Sequence, residues 1–583
     1  MNTDHIPSLS VLLAAGATLL AALGLLWPVL GAPGTEAIGL EAGEGPAHLW
    51  GLWVAAEGML SHGPYLRVAE VNLPAGFKAD LIDPLNLLLF GPGWLLGGGG
   101  ATGAVLGWNT VHLLSVLVGG LGGWRLGQTI LESRQAAVVV AAAIAGAPYL
   151  IGAAGVVGRS EYLPLAGWAL HLSYLIGSLR PEGSRREQLG AIITLTALAH
   201  AGWQPLIWII LAEGAVVWML WRTGETTEDV RETLLRLATV ALPAALLTLP
   251  LLLSHLGTDP WWLSRLDHAS PFDERPRAAP LAALLPFVDT TRSWANNPLP
   301  YLGVTLPILS IAGAIVSPRR ALRWLALGAL VLLFSLGEIV AVGSSMENNA
   351  GFYYMPAAIL VHVISPLRAF HGWARLTLLA IPLLALAAGH TIDVAARERP
   401  MKSVLAAALL ALALVLEGIT FSPVGRGSFT IATPPDLASA YSALPPGAIL
   451  ELPLSMHQKY IDRGLLRAQV LGRPTSLPPS PLQPSAINLS AIAWSIERGI
   501  TPQEHRCVAG EADRLLDAGF VGLALHTGLM AEDDTTAASV TALLGEPTAA
   551  ADGVVLWTLR PGNGVSKGCE SLNTNGASLH LLR

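Results

Sequence analysis

Apolar and polar positions alternate along this chain in long blocks and not in the short periods of a soluble fold. Eleven apolar stretches stand out, at about 9–30, 102–126, 136–157, 162–178, 189–203, 206–221, 237–256, 301–317, 324–342, 373–394 and 403–421. Runs such as Leu9–Leu26 and Val404–Leu416 carry no charge, and the first is about as long as the ~20 residues a helix needs to cross a hydrocarbon core. The pattern predicts a mainly α, polytopic membrane domain over 1–421, with a long outer first loop at 31–100. From about Ser422 the chain reads as a soluble α/β domain. Ile449–Pro453, Val521–His526 and Val554–Leu559 alternate as strands, and Glu504–Ala518 has helical periodicity with Leu515 and Leu516 on one face. A Pro/Ser-rich loop covers 474–485, and the Gly/Asn/Ser-rich 562–583 is expected to be a disordered tail.

Charge orients the blocks. Five short connections are dense in arginine: Arg125 and Arg134; Arg180, Arg185 and Arg186; Arg222, Arg231 and Arg236; Arg319, Arg320 and Arg323; Arg397, Arg399 and Lys402. They hold 14 of the 34 Lys and Arg residues, which by the positive-inside rule places them in the cytoplasm. Alternation then gives eleven crossings, the N-terminus inside, and 422–561 outside as an extracytoplasmic domain. Two places need short elements. Between Arg186 and Arg222 the chain must cross twice, turning at His200–Pro205, where Gly and Pro supply the break. Phe352–Val363 must stay on the outer side as a re-entrant or interfacial segment. Leu49–Leu60 reads as an amphipathic surface helix, with Trp50 and Trp53 as interfacial aromatics. Asp83–Leu96 reads as a second interfacial or membrane-dipping segment.

Composition narrows the class. Charged residues make up 13% of the chain and hydrophobic ones 52%, whereas soluble domains carry about 25% charge. A soluble enzyme, a disordered chain and a nucleic-acid binder are thereby excluded. Arginines outnumber lysines 30 to 4, which points to a GC-rich bacterial genome and a bacterial cytoplasmic (inner) membrane. No P-loop, no G-x-G-x-x-G after a strand, no H-E-x-x-H and no C-x-x-C occurs, so ATP-driven transport and NAD chemistry lack support.

The candidate chemistry gathers in the outer segments. In Glu44-Gly-Pro-Ala-His48-Leu-Trp50, Glu44 can act as a general base or bind a divalent metal with His48. It can equally cap a helix that starts near Pro46. In Asn72–Asn86, Asp80 and Asp83 can bind a metal or sugar hydroxyls, while Asp83 before Pro84 is also good N-cap grammar. In Gly158-Arg159-Ser-Glu161, Arg159 suits a phosphate or a local pair with Glu161. His200 and Trp203 lie at an outer turn, where the Trp can stack on a sugar or sit in the aromatic belt. In Pro366–Arg375, Arg368, His371 and Arg375 can hold a lipid phosphate or snorkel to the interface.

The order of these features resembles the GT-C class of membrane glycosyltransferases, in its uncharacterised bacterial branch. The resemblance rests on Glu44–Trp50, Asn72–Gly76, Asp83–Asn86, Arg159–Glu161, Phe370–Arg375 and Ile449–Pro453. It implies transfer of a sugar from a polyprenyl-phosphate donor to an acceptor hydroxyl on the outer face, by inverting attack. Glu44 and Asp83 are then the catalytic candidates. His48, Asp80, Arg159, Glu161, His200, Arg368 and Arg375 are the substrate-binding ones, with Arg159 or Arg368 on the donor phosphate. Family members place an Asp early in the first loop; here that position is Glu44.

Two other classes stay open: a flippase or transporter of lipid-linked substrates, and a GT-C-like scaffold without activity. A transporter should show charges buried within spans, and the candidates are Glu213, Glu338, His390 and Glu417. The expected partners are membrane lipids and the lipid-linked donor, and no nucleic acid. The two cysteines, Cys507 and Cys569, both fall in the outer domain, where a disulfide is permitted.

Overall fold

In hydrocarbon every backbone N–H and C=O must be paired within its own segment, so charge-poor stretches fold as helices. The computed structural model describes residues 6–40, 45–62, 66–68, 73, 77–79, 84–156, 160–201, 203–226, 229–256, 279–280, 302–337, 339–341, 352–363, 376–420, 427–453, 458–477, 492–493, 496, 511–530 and 536–561. Two compact units result. One comprises Met1–His48 and Asp80–Phe429, the other Leu49–Ala79 and Thr430–Arg583.

The first unit is helical. Its helices are α1 (Ile6–Leu26), the first turn of α2 (Gly45–His62), α3 (Pro84–Leu96), α4 (Gly100–Ile130), α5 (Arg134–Ala145), α6 (Trp168–Leu179), α7 (Arg185–Ala199), α8 (Trp203–Arg222) and α9 (Val230–Leu256). They continue with α10 (Thr305–Val316), α11 (Pro318–Ser335), α12 (Pro356–Val363), α13 (Thr377–Glu398) and α14 (Pro400–Thr420). Each of the eleven apolar stretches overlaps a helix, and among the described residues six helical segments are long and apolar enough to cross a membrane. Leu12, Leu88, Leu96, Leu246 and Ile315 are 68–85% exposed. In water such a surface would be a liability; on a polytopic membrane protein it is the lipid face.

The breaks have local causes. Pro148 lacks an N–H and ends α5, after which Tyr149–Val156 continues as a π-helix. The chain turns at His200 between α7 and α8, where the sequence predicts it. The α3–α4 turn passes through Gly98, Gly99 and Gly100 at φ +73°, +76° and +59°, a backbone region that side chains rarely adopt. α12 has eight residues, about 12 Å of helix, too short to cross a ~30 Å core. α11 starts at Pro318, so Arg319, Arg320 and Arg323 sit in its first two turns and not in a loop before 324.

The five arginine-rich segments lie on one face of this unit, bonded to one another. Arg180 donates to the Thr129 carbonyl, and Arg236 to those of Ser178 and Arg180. Arg323 pairs with Glu225 and donates to Thr223 Oγ1. Arg320 and Arg397 both pair with Glu132. The hydrogen bond from Arg320 holds the Glu132 carboxyl below its usual range against desolvation, with the Arg397 charge adding to it.

The second unit contains a four-stranded sheet of order β5-β6-β4-β3, with β3 (Ala448–Leu452), β4 (Phe520–His526), β5 (Ala549–Ala551) and β6 (Val554–Thr558). Two earlier strands, β1 (Glu36–Ile38) and β2 (Ser428–Thr430), form a separate pair. β3 runs parallel to β4, and β6 antiparallel to it. All three predicted strands are present. Alternation builds a core on each face: Leu450, Leu452, Leu523 and Leu525 on one, Ile449, Ala524 and Leu556 on the other. α15 (Pro435–Ser442), α16 (Gln458–Leu471), α17 (Glu511–Asp517) and α18 (Thr536–Leu544) complete it. Leu515 of α17 is buried and Leu516 packs beside it, as the periodicity predicts.

Residues 49–79 join this second unit, which their place in the chain does not announce. Gln469 donates to Glu57 Oε2 at 2.8 Å, and the Leu73 amide donates to the Thr475 carbonyl at 3.3 Å. Trp50 and Trp53, expected at a membrane surface, are 6% and 3% exposed. Both are buried in protein, and Trp53 Nε1 donates to Glu57 at 2.6 Å.

Candidate functional site

The segment leading to Glu44 is fixed on α4 by two side chains. Trp108 Nε1 donates to the Ile38 carbonyl at 2.7 Å. Asn109 closes a three-way clamp: its Oδ1 accepts from the Ile38 amide at 2.9 Å, and its Nδ2 donates to the carbonyls of Pro33 and Glu36 at 3.1 and 2.9 Å. An amide side chain is suited to this, since it carries both donor and acceptor. Behind Glu44, Gly45 opens α2 in a tight place. A Cβ there would come 3.1 Å from the Phe429 ring and 3.6 Å from Trp108. Glu44 itself lies outside the described residues; of its described neighbours, Ile38 is bonded to Trp108 and Gly45 lies beside the Trp108 ring.

The segment following Asp83 is fixed on the same helix. α3 starts at Pro84, as the capping grammar predicts, and packs antiparallel on α4. Glycines allow the close approach: a Cβ on Gly107 would meet the Phe90 ring at 2.8 Å, and one on Gly93 the Leu106 carbonyl at 2.4 Å. This register sets Pro84 level with the turn that carries His112. His112 is fully buried, stacks edge-on against Trp108 at 4.7 Å and donates from Nδ1 to the Trp108 carbonyl at 2.9 Å. Since a carbonyl only accepts, the proton on that bond belongs to the ring.

His200 is brought to the same neighbourhood. Its carbonyl accepts from the Leu85 amide at 3.3 Å, which ties the α7–α8 turn to the start of α3. Its Nδ1 donates to the Thr196 carbonyl at 2.7 Å. His48 is half-buried in the first turn of α2. Glu161 belongs to the 3-10 helix Ser160–Gly167, which packs on α3 and α4. Asp80, Asp83, Arg159, Arg368 and Arg375 lie outside the described residues, as do His371, Glu338, Cys507 and Cys569. Among the described residues, no group of three or more His, Cys, Asp or Glu is placed to hold a metal ion.

Sequence reasoning missed Trp108, Asn109 and His112. The signal was available: Trp-Asn-x-x-His is a run of three hydrogen-bonding residues inside an apolar span, where each unpaired group is costly.

Two of the four transporter candidates, Glu417 and Glu213, have structural partners. Glu417 accepts from the amides of Val304 and Thr305, at the start of α10. Glu213 accepts from Trp168 Nε1 at 3.1 Å, and its Oε1 lies 2.9 Å from His171 Nε2, within ion-pair range but without hydrogen-bond alignment. His171 Nδ1 meets Thr194 Oγ1 at 2.9 Å. His390 is buried in α13.

The fold is that of the GT-C-type polytopic membrane glycosyltransferases. Over 92% of its length the chain superposes on 71% of the archaeal oligosaccharyltransferase AglB from Archaeoglobus fulgidus, solved with an inhibitory peptide and a dolichol-phosphate, with TM-score 0.52 and 12% identity. It matches the arabinofuranosyltransferase AftD from Mycobacteria over 94% of its own length and 40% of that chain, with TM-score 0.54 and 17% identity. It matches ArnT from Cupriavidus metallidurans over 94% of its length and 97% of that chain, with TM-score 0.50 and 14% identity. In sequence, no protein-family model and no curated protein matches.

Proposed function

We propose that this protein is a membrane glycosyltransferase that moves a sugar from a polyprenyl-phosphate donor to an acceptor on the face opposite the arginine-rich segments. What supports the reading is that Pro33–Ile38 before Glu44 and helix α3 after Asp83 both pack on α4, within a GT-C fold that spans nearly the whole chain. In the proposed reaction an acceptor hydroxyl attacks the anomeric carbon with inversion. Its proton passes to Glu44, and the bond to the polyprenyl phosphate breaks with the electron pair leaving on that phosphate. Asp83 positions the acceptor, and Arg159 or Arg368 neutralises the phosphate. His48, Asp80, Glu161, His200 and Arg375 line the substrate path. No step runs through a metal, although carboxylates and an imidazole in the first loop are donors a divalent cation would accept.

The topology that goes with this reading has eleven crossings, the arginine-rich face in the cytoplasm of a bacterial inner membrane, and the second unit outside. Glu417 and Glu213, satisfied by fixed backbone and side-chain partners, do not favour the transporter alternative. In cells, Glu44→Gln should abolish a surface glycan that wild-type protein restores to a deletion strain, with protein level unchanged. Retention of that glycan would leave a scaffold or a transporter.

A further inference from the structure

A groove of about 660 Å³ opens between α8 and α9, within the ~300–1,000 Å³ range of small-molecule sites. α9 packs chiefly on α7, while α8 touches its neighbours sparsely, so the two helices leave a slot with α6 and α7 as its floor. The slot runs from Trp221 and Val230 at one end to Leu206 and Thr248 at the other. Fifteen residues of helix make it about 22 Å long, longer than the ~15 Å half-thickness of a hydrocarbon core. Its walls are apolar apart from His171, Glu213 and the threonines, and Glu213 is engaged by Trp168. Ile210, Trp218 and Leu234 form a rim that is 55–62% exposed, so the slot is open sideways towards lipid.

Its charged end is on the arginine-rich face. Arg222 lies 6.0 Å from the ring of the groove-lining Trp218, and Arg231 follows the groove-lining Val230. Among the described acids nearby, Glu225 pairs with Arg323, Glu232 pairs with Arg236, and Asp229 accepts from the Arg231 backbone amide. Among the described residues neither the Arg222 nor the Arg231 guanidinium has a carboxylate partner. A leaflet-length apolar slot with two exposed arginines at its end matches one kind of occupant. We propose that the groove holds an acyl chain of an anionic phospholipid drawn from the leaflet on the arginine-rich face, with its phosphate at Arg222 and Arg231. The site is separate from the proposed transfer centre and does not depend on that activity.

The test uses full-length protein in nanodiscs of mixed phosphatidylcholine and phosphatidylglycerol, extracted gently and weighed intact by native mass spectrometry. Wild-type protein should retain about one phospholipid more than the groove-filled variant Gly214→Phe. Gly214 lines the groove with no atom within 4 Å of an added Cβ, so the new side chain starts in open space, and an unchanged melting temperature of this variant checks that the fold accepts it. The retained lipid should be phosphatidylglycerol in at least tenfold preference. Arg222→Gln/Arg231→Gln should keep the lipid but reduce that preference to about the bulk ratio. Equal retention by wild type and Gly214→Phe would overturn the proposal. So would a retained lipid without headgroup preference, or one that in native membranes proves to be a polyprenyl phosphate.

Discussion

Glu451 is the clearest single residue for which burial and charge can be set against each other. It is 3% exposed in the centre of β3. Tyr441 donates to its two oxygens at 2.9 and 3.1 Å, and His526 Nε2 lies 2.6 Å from Oε2. Burial pushes the carboxyl up; the His526 hydrogen bond and charge, with Arg467 and Tyr441, outweigh it and hold it below the ordinary range. A carboxyl with a depressed folded pKa stabilises above its unfolded value of about 4.3, and that contribution is lost as pH falls through the folded value. The melting midpoint of the second unit, read by pulse proteolysis of the full-length protein, should therefore drop below pH ~4.3 in wild type. In Glu451→Gln this drop should be weaker, from a lower starting midpoint. Tyr441→Phe removes a hydrogen bond to a charged group and should cost about 1.5–3 kcal/mol. A midpoint unmoved by Tyr441→Phe would show the network to be idle. The strand Ile449–Pro453 was legible in the sequence, but the partners were not, because His526 stands 75 residues away in the chain.

Among elements, the helical unit is assembled by glycines at backbone crossings. A Cβ on Gly313 of α10 would lie 1.9 Å from the Ala387 carbonyl of α13, and one on Gly418 of α14 would lie 1.9 Å from the Gly146 carbonyl after α5. Backbone cannot yield as a flexible side chain does, so Gly313→Ala and Gly418→Ala should each destabilise by about 1–3 kcal/mol. In detergent their melting temperatures should fall, while Gly16→Ala, with no atom within 4 Å of its added Cβ, should match or exceed wild type. Equal melting of all three variants would refute close backbone packing as the cause. The helices themselves were readable from apolar length, the His200 break and Pro84. These crossings were not, since a glycine in an apolar span looks the same whether it faces lipid or another backbone. The clamp of Pro33–Ile38 by Trp108 and Asn109 was hidden for a related reason: it joins residues about 70 apart.

At the scale of the whole molecule, the arginine-rich segments predicted to share a side do share one face, which loop composition alone made legible. The crossing count and the side are tested by reporter fusions. Those after Arg236, Arg320 and Arg399 should report cytoplasm, and one after Thr433 the exterior; a cytoplasmic signal at Thr433 would break the scheme. If that unit is outside, Cys507 and Cys569 can bridge a loop of about 60 residues, worth roughly 4 kcal/mol by chain entropy. Intact mass under non-reducing conditions should then be 2 Da lower than after reduction, and complete alkylation before reduction would reject the bridge. The central claim is glycosyl transfer with Glu44 as base. It is tested most directly by purified protein reconstituted with the membrane's own polyprenyl-phosphate-linked sugars, following release of polyprenyl phosphate together with the glycosylated acceptor. Wild type should turn over, and Glu44→Gln should be slower by about 10²–10⁴-fold, the usual contribution of a general base, with the fold intact by melting. Transfer by Glu44→Gln at the wild-type rate, or no transfer by wild type from any native donor, would contradict it.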